Sequence, residues 1–159
     1  MAQPLAELIR ETITRELPDL EAFPPETAAL KPADPTRWSP QQELGHLVDS
    51  AVNNHQRFVR AALHGDYSGP GYDQNGWVEL HDYQNMSWEN IVDLWFRFNA
   101  FLARAVDRIP ESSLETPCKV GPYPVEPLGF VIQDYVVHMQ HHLDHLLGRA
   151  EITQYPQTR

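Results

Sequence analysis

Apolar residues recur with a period near 3.6 in four separate stretches of this chain, and no strand-length window alternates convincingly. In residues 4–17 the stripe is Leu5, Leu8, Ile9, Thr12, Ile13 and Leu17. Pro18 is expected to end that helix, because proline lacks the N–H that the helix ladder needs. A second helix should start at Ser39, with Pro40 in the first helical position and Gln42 at the capping-box position. It should run to about Leu63 and stop at His64-Gly65, where glycine accepts a left-handed cap. A third opens at Ser87, carries Trp88, Ile91, Trp95, Phe98, Leu102, Ala105 and Ile109 on one face, and is stopped by Pro110. The fourth spans about residues 128–147 and ends at Gly148. Four amphipathic helices and no strands predict an all-α four-helix bundle with long inter-helix connections. Residues 66–86 read as a loop punctuated by Gly, Pro and Asn, and a loop that long in a compact domain is more often functional than idle.

The 159 residues suit one domain with a single core, so the span 1–159 is taken as one unit. A net charge of -10 disfavours a nucleic-acid partner. No stretch approaches the roughly 18 apolar residues of a membrane span, and the N-terminus lacks the pattern of a signal peptide. The single cysteine, Cys118, permits no internal disulfide and fits a reducing cytoplasm. It sits in a Pro/Gly-rich stretch without a neighbouring histidine, so a structural role is expected.

Candidate chemistry lies in VVHMQHHLDHLL, which holds four of the eight histidines. At about 100° per residue, with His138 at zero, Val131 falls near 20°, His142 near 40°, Tyr135 near 60° and Met139 near 100°. His138 and His142 thus form an i, i+4 pair at the edge of the apolar arc, the spacing that lets two imidazoles meet one metal. His145, Asp134 and His141 fall on the other flank and are expected to face solvent. Two ligands from one helix do not make a site, since catalytic zinc takes three protein groups. His46 is the best third candidate, although the helical wheel puts it outside the apolar arc, in a polar sector with Ser50, Asn54 and Arg57. That position suits the lip of a cleft. His55 lies mid-stripe and is expected in the core. His64 is a helix-end residue and His81 a loop residue. Trp88, Trp95 and Phe98 read as core. Trp38 and Trp77 could line a pocket or a dimer seam.

Two motifs carry a resemblance. Trp38, Ser39, Pro40, Glu43, His46, Leu47, Asp49 and Ser50 form one, and Asp134, Tyr135, His138 and His142 the other. With the segments 53–58 and 72–77 and the aromatic third helix, they resemble the DinB/YfiT-like superfamily over most of the chain. The resemblance implies a bundle that binds a divalent metal through His46, His138 and His142. It also implies one of two chemistries: hydrolysis by metal-activated water, or S-transfer with a low-molecular-weight thiol. A metal- or small-ligand-binding protein without catalysis is the third alternative. Zinc or nickel is the expected metal, with iron, cobalt or manganese (and, by imidazole chemistry, copper) also accepted by such a donor set. Asp49, Asn54, Arg57 and His81 are the candidate catalytic residues. The expected partner is a small-molecule substrate, with no nucleic acid, no membrane and a homodimer as an option.

Overall fold

The computed structural model describes residues 2–150 and 153–155; the rest of the expected 1–159 span lies outside the described residues. The bundle is built from α1 (Gln3–Ala22), α3 (Pro40–His64), α5 (Trp88–Asp107) and α6 (Leu128–Leu146). Two short helices, α2 (Pro25–Ala28) and α4 (Gln74–Leu80), lie in the connections. Each long helix packs on two others: α1 and α3 both contact α5 and α6. One apolar core fills the middle, with Ile9, Leu44, Trp95, Leu102, Ile132 and Leu143 fully buried. Among the described residues no helix is long and apolar enough to cross a membrane.

Local chemistry sets the helix ends. Ser39 accepts from the Gln42 backbone N–H while the Gln42 side chain accepts from Ser39 N–H, so the capping box is complete. Gly65 closes α3 in the left-handed region at φ 79°. Ser87 caps α5 through Asn90 N–H.

Three expectations need correcting. The first helix does not stop at Pro18 but continues to Ala22. Pro18 is on the exposed side, where a missing ladder bond is tolerated. The turn beyond it is fixed by tertiary contacts: Leu20 is fully buried, its carbonyl accepts from the Trp88 indole at 2.8 Å, and Phe23 packs on the Trp88 ring. The expectation of no strands also fails. β1 (Tyr67–Gly69), β2 (Pro117–Val120) and β3 (Val125–Pro127) form a small sheet, β1 parallel to β2 and β2 antiparallel to β3. Segments of three or four residues show no readable alternation, and their pairing joins chain positions some fifty residues apart, Tyr67 opposite Cys118. The stretch 66–86 is likewise not one loop: it holds β1, α4 and a 3-10 turn over Tyr83–Asn85. Asp73 caps α4 by accepting from Gly76 N–H.

Gly45 lets this connection close on the bundle. The Tyr83 ring lies against α3 where a side chain at position 45 would stand, and the Tyr83 hydroxyl reaches Asp49 one turn later. A methyl group there must displace a buried ring. Gly45→Ala is expected to destabilise by about 1–3 kcal/mol despite the better helix propensity of alanine. Thermal unfolding checks this, at roughly 2–4 °C per kcal/mol for a domain of this size; an unchanged midpoint refutes the close-approach argument.

Candidate metal centre

Helix α3 is buried on two sides. Its apolar stripe faces the core, and its polar stripe turns towards α6 and the connection after α3 instead of water. Glu43, His46, Asp49, Ser50 and Asn54 are all buried. His46 is fully buried and does not sit at the lip of a cleft, as its helical phase suggested. His46 does lie outside the apolar arc of α3, but α6 covers that sector.

His46, His138 and His142 come together there. One imidazole nitrogen from each lies within 4.8 Å of the others. The His46 and His138 Nε2 atoms face one another at 3.4 Å. Two nitrogens bound tetrahedrally to one ion at about 2.0–2.1 Å would stand roughly 3.3–3.4 Å apart. Facing lone pairs repel unless a proton or a cation lies between them. Burial, reinforced by the charge of His142, pushes His46 down to about 3. Burial likewise lowers His138, helped by His142, His46 and His141. Burial thus disfavours imidazolium at His46 and His138, and three imidazoles each offering one nitrogen fit a divalent cation. Trp38 covers the cluster, its ring 4.8 Å from that of His46.

Glu43 orients this arrangement. His142 Nδ1 lies 2.8 Å from Glu43 Oε1, and an ionised carboxylate only accepts, so Nδ1 carries the hydrogen and Nε2 keeps its lone pair for a metal. His145 Nδ1 lies 2.8 Å from Glu43 Oε2 and its Nε2 lies 3.2 Å from Arg37 Nη2. Because Arg37 can only donate, His145 Nε2 accepts and Nδ1 donates to Glu43. His145 is thus not simply a solvated residue; it braces the carboxylate that holds His142. His141, half-buried, pairs through Nδ1 with the Thr153 carbonyl at 3.0 Å. Sequence reasoning placed Glu43 in a motif without giving it a task. Its position one helical turn before His46 is the signal that could have marked it.

A cavity of about 310 Å³ opens beside the cluster, with His138 in its wall. Of the four candidate catalytic residues, Asn54 and Arg57 line it. Asp49 and His81 do not. Asp49 is buried, accepts the Tyr83 hydroxyl at 2.7 Å and sits 2.9 Å from His81 Nδ1, while its Oδ2 has no partner among the described residues. Burial raises the Asp49 carboxyl, opposed by Tyr83 and His81. Asp134 was expected to face solvent but lines the cavity one turn before His138 and accepts from the Tyr155 hydroxyl at 2.9 Å. Tyr155 also packs on His138, ring centroids 5.2 Å apart. Cys118 shares the wall, buried, with its thiol pushed up to about 11 by burial, so it is held as the unreactive thiol.

Other aromatic and histidine residues are placed as follows. Trp88 and Trp95 are buried, Phe98 is partly so, and Trp77 packs between Tyr72 and His81. His55 is only half-buried, against Phe98 and Phe101, and is not a core histidine. The apolar stripe of α3 is wider than the core it faces, and His55 takes its margin.

Comparison with known proteins bears on the fold and the family. YfiT from Bacillus subtilis, described as a probable metal-dependent hydrolase with an unusual four-helix bundle topology, superposes with a TM-score of 0.78 at 18% identity, covering 94% of this chain and 89% of its own. At that identity the likeness establishes a shared fold. No curated protein matches the chain. The sequence profile of the DinB superfamily matches residues 9–146, and the chain belongs to that superfamily.

Proposed function

We propose that this protein is a divalent-metal-dependent hydrolase acting on a small molecule, with His46, His138 and His142 as the metal ligands. The observation that carries the reading is the convergence of three imidazoles, one fully buried and two partly so, beside a cavity that reaches one of them, His138. A cation held by three neutral ligands supplies Lewis acidity and draws the pKa of a coordinated water towards neutrality. The remaining tasks fall to side chains. Glu43 fixes the His142 ring and its tautomer. Trp38 keeps bulk water off His46. Asp134, on the same wall as His138, takes the proton released as water adds to the substrate. Zinc and nickel suit an all-imidazole set best, with availability deciding between them.

Purified protein is expected to hold about one metal per chain by elemental analysis, with His142→Ala abolishing it. Glu43→Gln should weaken metal binding by about 10–100-fold without unfolding the bundle. Full metal content in His142→Ala would overturn the ligand assignment.

Metal-loaded protein is to be screened against ester, amide and phosphoester substrates, with electrophile plus low-molecular-weight thiol as the competing chemistry. Hydrolytic turnover that falls about 100-fold or more in Asp134→Asn, at unchanged metal content, is the expected result. Turnover only in the thiol arm would replace hydrolysis by S-transfer, and stoichiometric metal with turnover in neither arm would favour simple metal binding.

Protons compete with metal for the same nitrogens. In the metal-free protein, His46 and His138 titrate below their unfolded value of about 6.5. The unfolded chain therefore takes up protons below that pH that the folded chain does not. The stability they contribute is complete above about pH 6.5 and is lost as the pH falls towards the folded value near 3. Asp49, raised in the fold, works weakly the other way at the acid end. Melting of chelator-treated protein should drop by several degrees between pH 7 and pH 5, and His46→Gln should flatten that drop. A pH-independent midpoint over this range contradicts the burial argument.

A further inference from the structure

We propose that the substrate carries a single carboxylate that docks on Arg57, at the end of the cavity away from the three histidines. This rests on the reading that the reacting bond sits at the histidine cluster. His46, Ser50, Asn54 and Arg57 form one stripe on α3, because steps of four, four and three residues bring the chain back to within about 20° of its starting direction. Arg57 lies about 16 Å along the axis from His46 at 1.5 Å per residue. Its side chain turns back towards the cluster, with Nη1 donating to Asn54 Oδ1 at 3.3 Å. The guanidinium therefore stands near the level of Asn54, about 12 Å beyond His46.

Arg57 is half-buried and lines the cavity, yet among the described residues no carboxylate lies within ion-pair distance of it. The contrast is with Arg149, which Glu16, Asp19 and Asp144 surround. In a chain with 22 acidic and 12 basic residues, a cavity-facing guanidinium held only by a neutral amide is conspicuous. An ionised carboxylate matches its planar fork through two parallel N–H···O bonds. Asp134 and Glu126 also line the cavity, on α6 and β3. Val131 and the rings of Tyr72 and Tyr135 give the wall apolar surface beside the polar Ser50 and Asn54. The inferred ligand is thus a monocarboxylate with an apolar middle, its reactive group about 8–10 Å from the carboxylate, from the spacing along α3.

The test uses 4-phenylbutanoate and its neutral amide as probes, titrated by calorimetry into the full-length protein, both metal-free and zinc-loaded. The acid is expected to bind about tenfold tighter than the amide in both states. Arg57→Met should abolish that preference, and Arg57→Lys should keep part of it, with melting temperature and zinc content unchanged in both. Equal binding of acid and amide, binding of neither at millimolar concentration, a preference that survives Arg57→Met, or a preference seen only with zinc present each overturns the proposal. Failure of the metal reading shows separately, as absence of zinc uptake by the wild-type chain.

Discussion

Convergence of three imidazoles between α3 and α6 is the constraint on which the rest of this structure depends. Neutral imidazole is cheap to bury compared with imidazolium, but three ring nitrogens held within 4.8 Å of one another must share a proton or a cation. The surroundings are arranged to hold that convergence. Glu43 accepts from His142 and His145, Trp38 lies on His46, and Tyr155 lies on His138. The carboxylate is itself buried, so removing its partners would strand a charge in a low-dielectric interior. His145 and Arg37 prevent this from the exposed side. The cluster and its support are therefore one unit, spanning α3, α6 and the segment before α3.

That unit explains which parts of the molecule could be read from sequence. The four long helices follow from 3.6-residue periodicity, and the α3 start follows from Ser39, Pro40 and Gln42, because these are local properties. The i, i+4 pair His138 and His142 was legible for the same reason. His46 shows the limit. Its angle on the helix was readable, but whether that angle met water or another helix depended on where α6 lies. Asp134 shows the same limit, since at its level the polar flank of α6 meets a cavity and not bulk solvent. Helical phase assigns a direction; only packing assigns what lies there.

The remaining elements were hidden because long-range contacts specify them. The turn after Pro18 is held by Trp88, 68 positions on from Leu20. The sheet pairs Tyr67 with Cys118, and neither segment has intrinsic strand character. This sheet contributes Cys118, Val120 and Glu126 to the cavity wall. The bundle alone would leave the histidines beside an open groove. The connections convert the groove into a cavity, which is why a stretch that reads as irregular loop proves to be structured.

Electrostatics divides the labour between the two helices. α3 supplies the cavity's one cation among the described residues, and α6 supplies an acid beside His138. With a net charge of -10, the protein's long-range field repels anions, so capture of one cannot rely on steering. That field decays over about 8 Å at physiological ionic strength, whereas a half-buried guanidinium acts at contact distance and is screened much less. Selection of a carboxylate by such a site would be governed by fit and dissociation rate instead of rapid encounter. An acidic surface and an anion-accepting cavity are then compatible, because they operate at different distances.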